Sequence, residues 1–300
     1  TVGAAKSTVS IIASETPLFA QGYFVYDSKK SGAVTISHVR FGPQLIRSTY
    51  QIERAQFVSV HHFDLLGRLD VAGRAAAGAR LLLNSPHPAD AVWEQLPRDV
   101  QEHVLARNLE VWVIDADRVA REVGMGHHIN TVMQPCFFAL SGVLPRDRAL
   151  AAIRRSIEKT YTNRGAAGVA RNLAAGDRAL SELHQIAIPA AARSEITRRS
   201  FVPATASDFV QRVTARLLEG QGDLLPVSAL PPDGTFPTAT ARYEKRAIAS
   251  EIPAWDPALC IDCGKCAVVC PHAAIRMKVY PAADAAGAPE GFLAKSFRSR

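Results

Sequence analysis

Cys260-Ile-Asp-Cys263-Gly-Lys-Cys266-Ala-Val-Val-Cys270-Pro271 is the stretch from which this 300-residue chain is best read. Its spacing, C-x2-C-x2-C-x3-C-P, is the bacterial ligand run for [4Fe–4S] clusters. Three thiolates at i, i+3 and i+6 on a tight loop can converge on one cubane, so Cys260, Cys263 and Cys266 are expected to bind three irons of one cluster. Cys270, set further on and followed by proline, is expected to bind an iron of a second cluster. Gly264 permits a tight turn, loop N–H groups can donate to the sulfides, and Pro271 stiffens the turn after Cys270. Lys265 reads as a solvated surface lysine, with stabilisation of the reduced cluster as the alternative. The chain holds no second such run, so the relay it encodes is half present. Zinc sites use two separated cysteine pairs or add a histidine pair, and His272, two residues after Cys270, fits neither spacing. Cysteines three apart on such a loop are poorly placed for a disulfide. The fifth cysteine, Cys136, sits in the apolar run Met133-Gln-Pro-Cys-Phe-Phe-Ala-Leu140 and reads as a buried small hydrophobe.

Working outward, the length allows one large domain and one small one. Hydrophobic residues at 48% and charged ones at 21% are ordinary for a soluble globular chain. No apolar stretch reaches the ~18 residues of a membrane span, and no signal peptide is visible. Four of five cysteines in one cluster run fit a reducing cytoplasm. A net charge of +7 is mild, and Arg193, Arg198 and Arg199 have no aromatic residues interleaved, which argues against nucleic acid as a partner. The chain starts at Thr1, inside what reads as a glycine-bearing turn, and this suggests an excised segment.

Three zones follow. Residues 1–185 alternate strands with helices and predict an α/β domain around a mostly parallel sheet. Strands are expected at Gly22–Tyr26, Ala33–Ser37, Gln56–Val60, Arg80–Leu83 and Leu109–Ile114, several ending at Asp27-Ser28, Asn84-Ser85 or Asp115. Helices are expected at Lys6–Ser14, Leu69–Ala79, Ala89–Ala106 (interrupted at Pro97), Asp117–Val123, Asp147–Lys159 and Val169–Leu183. Residues 186–252 are punctuated by six prolines and read as an irregular connecting arm with one amphipathic helix, Ala206–Leu218. Residues 253–300 form the cysteine zone, a partial ferredoxin-like domain ending in a loop-rich tail.

The order of further segments carries a family resemblance. They are Thr1-Val-Gly-Ala4, Ala20–Gly32 running to Ser37-His-Val-Arg-Phe-Gly-Pro43, Ile46–Tyr50, Gly124–Gln134, Gly222–Ser228, Tyr243-Glu-Lys-Arg246, and Ile252-Pro253 with Trp255 before the cysteines. Together they resemble the pyruvate:ferredoxin (flavodoxin) oxidoreductases. The resemblance implies an internal fragment: a gamma-type domain, the Glu-Lys-Arg domain and the first half of a two-cluster ferredoxin domain. It also implies a whole enzyme that decarboxylates pyruvate, forms acetyl-coenzyme A and passes electrons singly to ferredoxin or flavodoxin. Thiamine diphosphate and Mg2+ would be bound outside this segment, and the complete enzyme would be a cytoplasmic homodimer. The fragment alone is not expected to turn over, and no catalytic residue is assigned to it. A non-catalytic iron–sulfur subunit of a related multi-chain 2-oxoacid oxidoreductase is the alternative reading.

A weaker expectation concerns Gly3, Lys6 and Arg40, a glycine turn with two cations that could hold a phosphate of coenzyme A. A tight turn with two surface cations is the plainer reading of the same residues. His61-His62 and His127-His128 are adjacent pairs, which seldom chelate one metal because strand neighbours face opposite sides. Ser37-His38 lacks the glycine elbow and acid of a hydrolase. Glu244-Lys245-Arg246 reads as a docking element that pins the arm by ion pairs.

Overall fold

The computed structural model describes residues 2–26, 34–162, 165–243, 252–271 and 273–297. They fall into two compact units, 1–248 and 249–300.

The first unit opens with helix α1 (Val2–Glu15), followed by β1 (Phe19–Val25) and β2 (Ile36–Gly42). The two strands pair antiparallel from Phe19↔Gly42 to Val25↔Ile36. The sequence led us to expect both in the main sheet; they form a separate two-stranded hairpin, and the turn at Asp27-Ser28 lies outside the described residues. The main sheet has the order β3 (Ala55–Val60), β4 (Ala75–Asn84), β5 (Glu110–Ile114), β6 (His184–Gln185). Its first three strands are parallel and β6 is antiparallel.

Strand β4 is buried on both faces, as a central parallel strand must be. Leu81 and Leu83 pack on one side with α2 (Val92–Gln95) and α3 (Arg98–Ala106), through Val92, Val100 and Val104, and with Leu96 between the two helices. Leu82 packs on the other with α4 (Ala116–Glu122), α5 (Asn130–Ser141) and α7 (Ala166–Ala179). Helix α6 (Arg146–Tyr161) closes a third cluster in which Ile153 and Ile157 meet Ile11 and Ile12 of α1 and Phe138 of α5.

The segment Leu69–Ala79 is not the helix its alanine content suggests. A single 3-10 turn, Ala72–Arg74, runs straight into β4. The Arg107 guanidinium donates to the carbonyls of Ala72 (3.1 Å), Gly73 (2.6 Å) and Ala75 (2.9 Å), and Gly78 sits at φ +69°, outside helical space. Tertiary contacts override a propensity of only ~1 kcal/mol per residue. The expected break at Pro97 separates α2 from α3, with Pro97 as the N-cap of α3. Helix α5 is an addition to the sequence reading; it runs through Pro135, whose missing N–H leaves Thr131 O without its usual helical partner, beside Gly176 of α7.

Residues 186–243 are more than a bare linker. Gln101, fully buried, donates to Trp93 O (2.7 Å) and accepts from the backbone N–H groups of Arg193 (2.8 Å) and Ser194 (3.0 Å). Arg198 pairs with Asp99 at 2.6 Å. Beyond these ties Val202, Ala206, Val210 and Ala215 form a small core with Phe201, Leu218 and Tyr243. The helix expected over Ala206–Leu218 forms as a π-helical turn, Val210–Thr214, leading into α8 (Ala215–Leu218). Glu244-Lys245-Arg246 lies outside the described residues. Among its described residues the second unit holds one short helix, α9 (Lys265–Val269), and a 3-10 turn at Ala282–Ala285.

Candidate metal centre

The cysteine loop turns twice within three residues. Asp262 (φ +61°) and Gly264 (φ +68°) both take the left-handed conformation, flanking Cys263 on either side. Aspartate is among the few side chains that tolerate this region, and glycine adopts it freely. Gly264 then caps α9, its carbonyl accepting from the N–H groups of Ala267 and Val268 at 3.1 Å. A side chain there would be strained by φ, and its Cβ would lie 3.4 Å from Met277 Sδ. Upstream, Asp256 Oδ1 accepts from Ala258 N–H (2.8 Å), and Asp256 O accepts from Cys260 N–H (3.1 Å). Downstream, Cys270 leaves the helix in an extended conformation and Pro271 ends it.

None of the four loop cysteines is in a disulfide; Cys263 and Cys266 are exposed and Cys260 and Cys270 partly buried. The donor set is all thiol, soft and accessible, on a loop whose two left-handed residues reverse the chain between ligands. These features fit thiolate ligation of an iron–sulfur cluster. Lys265 is exposed at the start of α9, as expected of a solvated lysine. The loop carries a charge pair that sequence reading missed. Lys295 Nζ lies 3.3 Å from Asp262 Oδ1 and donates to Cys260 O, while the Cys260 thiol donates to the same Asp262 oxygen at 3.5 Å. Asp262 stands inside the cysteine run, but Lys295 follows it by more than thirty residues with no spacing signal to link them.

The residues expected to hold a phosphate are distributed differently from the sequence reading. Gly3 lies in the first turn of α1, not in a strand-to-helix turn, and no atom would contact a Cβ there. Lys6 Nζ sits 5.5 Å from the centre of the Phe24 ring. Arg40 in β2 donates to Gln21 Oε1 (3.3 Å) and Tyr50 O, and stacks on the Tyr50 ring at 4.8 Å.

The paired histidines separate, each to its own surroundings. Burial pushes His61 down to about 4, whereas His62 faces Asp64 at 3.9 Å. His127 faces Asp117 at 3.8 Å and His128 meets Met125 O. Buried His38 accepts from Ile52 N–H (3.1 Å) at Nδ1, and burial, with Arg74 and Arg40 nearby, lowers its pKa; its Nδ1 is held by backbone, not by Ser37. At the carboxyl ends of the parallel strands, where open α/β sheets commonly take ligands, Asn84 is spent on protein groups. It donates to His61 O (3.0 Å) and Asp117 (2.8 Å) and accepts from Ala116 N–H (2.9 Å). Asp70, Asp99 and His103 place ligand atoms within 4.8 Å of one another, but Arg198 and Gly73 N–H already hold the two carboxylates.

With this geometry in hand, comparison with known proteins is informative. A family model described as pyruvate ferredoxin/flavodoxin oxidoreductase matches residues 1–182. A model of a domain of unknown function, EKR, matches 195–249, and a 4Fe-4S binding domain matches 252–275. The chain is 52% identical over its whole length to a pyruvate-flavodoxin oxidoreductase of Rhodospirillum rubrum, covering 25% of that protein. It is 50% identical, again over its whole length, to one of Nostoc, covering 26%. Over 98% of the chain it is 44% identical to the pyruvate:ferredoxin oxidoreductase of Moorella thermoacetica, covering 25%. The chain thus spans about a quarter of the length of the curated relatives it matches. A crystal structure of a pyruvate oxidoreductase subunit from Thermotoga maritima aligns with 61% of the chain and 89% of its own length, at 18% identity and a TM-score of 0.47.

Proposed function

Because the chain belongs to the pyruvate ferredoxin/flavodoxin oxidoreductase family, we propose that it is the electron-relay and scaffolding segment of a pyruvate:ferredoxin (flavodoxin) oxidoreductase. In the complete reaction pyruvate loses carbon dioxide and two electrons, the acetyl unit passes to the sulfur of coenzyme A, and ferredoxin or flavodoxin takes the electrons. Thiamine diphosphate with Mg2+, bound outside this chain, supplies the carbanion chemistry, and [4Fe–4S] clusters supply one-electron storage.

This chain's own residues bind and orient. The observation that carries the reading is the loop with its four undisulfided cysteines, turned by left-handed Asp262 and Gly264. Cys260, Cys263 and Cys266 would hold one cluster, and Cys270 an iron of a second. Residues 1–185 would serve as the scaffold, 186–252 as the connecting arm and 253–300 as the relay, in a cytoplasmic homodimer. Among the described residues no helix is long and apolar enough to cross a membrane. A phosphate of coenzyme A would meet Lys6 and Arg40, cations on α1 and β2, which pack together; Gly3 would contribute only its place in the first turn of α1.

The test is iron and acid-labile sulfide analysis, with electron paramagnetic resonance, on the full enzyme and its Cys263→Ala variant. Loss of one cluster, about four irons per chain, is the expected result. Unchanged iron would overturn the reading.

A further inference from the structure

The least exposed ion pair among the described residues is Lys295–Asp262, with side chains 17% and 11% exposed. It lies beside the first cysteine of an otherwise open loop, where Ile261 and Val268 are 73% and 85% exposed. We propose that Lys295, held by Asp262, is a positioning residue that sets the charge at Cys260 and so raises the reduction potential of the cluster on Cys260, Cys263 and Cys266. The inference rests on the cluster reading above.

The argument is electrostatic. Asp262 Oδ1 lies between two groups, the Cys260 thiol at 3.5 Å and the Lys295 ammonium at 3.3 Å. Ligation removes the thiol proton. A carboxylate oxygen would then face an anionic sulfur, and each electron added to the cluster would increase the repulsion. Lys295 is the cation on that same oxygen. Its hold on Cys260 O fixes it to the ligand's own backbone, independently of the carboxylate. Shielding from solvent keeps both charges effective where an exposed pair would be screened.

The two partners therefore have opposite effects. Lys295→Met removes a positive charge 3.3 Å from Asp262 Oδ1, beside the ligand, and lowers the potential. Asp262→Asn, which preserves shape, leaves Lys295 uncompensated and raises it. Each shift is expected to change the reduction equilibrium about tenfold, which is 59 mV for a one-electron couple. The double variant returns toward the parent value, and Lys295→Arg retains it. A merely structural tie would weaken iron retention in both single variants without opposed shifts.

The experiment is a redox titration of the full enzyme and these variants, followed by electron paramagnetic resonance, with iron content measured on each sample. Opposed shifts in one cluster signal support the proposal. Shifts of the same sign, or an Asp262→Asn protein that keeps its iron at an unchanged potential, overturn it. If Cys263→Ala leaves the iron content of the parent untouched, the cluster reading itself has failed, a result distinct from unmoved potentials in iron-replete protein.

Discussion

At Cys136 burial pushes the thiol up to about 12, with its Sγ donating to Val132 O at 3.4 Å, whereas the loop cysteines stand near solvent. The buried thiol was legible in the sequence, because an apolar neighbourhood marks a core residue; the spacing of the other four is what makes them candidate ligands. It does less well with cations. Lys6 and Arg40 read as spare charges, but each already lies against an aromatic ring, and Arg40 also holds a backbone carbonyl. Replacing both with alanine in the full enzyme is expected to raise KM for coenzyme A about thirtyfold, by the loss of two phosphate contacts each worth about 1 kcal/mol, with kcat retained. Steady-state kinetics at saturating pyruvate would check it, and an unchanged KM would remove the phosphate assignment. Lys295 is the opposite case. Nothing in its local sequence signals a role, since its partner is brought to it only by folding.

At the scale of elements, apolar β-prone runs located β3, β4 and β5, and proline located the gap between α2 and α3. Leu69–Ala79 failed because Arg107, more than thirty residues downstream, takes the carbonyls that a helix would have used. The connecting arm was legible as irregular, but its attachment was not. One side chain, Gln101, satisfies a carbonyl of the α2 helix and two N–H groups of the arm. Gln101→Leu keeps the volume and takes the acceptor from the Arg193 and Ser194 N–H groups, while Trp93 O keeps the Leu96 N–H. A loss of about 2 kcal/mol is expected, chiefly from the buried Ser194 N–H. Guanidinium denaturation would measure it, and limited proteolysis would show new cleavage near residues 190–200.

Across the whole molecule the two units differ in what holds them. The first has three apolar clusters around β4 and α5, besides the small one in the arm. The second exposes Leu259, Ile261, Val268, Val279 and Phe292, and α9 buries nothing. A unit of that size cannot assemble a sufficient core, and small folds of this kind depend on a metal or on further chain. Chelating the iron from the full enzyme is therefore expected to expose residues 253–297 to protease while 2–243 stay protected. Mass spectrometry of the fragments would show this, and equal protection of both would refute it. What the sequence by itself determined is the candidate chemistry: the four cysteines, their spacing and the turn residues are local, and local order is what a sequence records directly. Only the tertiary structure decided that the first two strands form a hairpin apart from the sheet, that alanine-rich residues 75–79 extend β4 at its start, and that Lys295 stands beside the cysteine loop. Each of these depends on contacts between residues far apart in the chain, whose pairing energies no single segment carries.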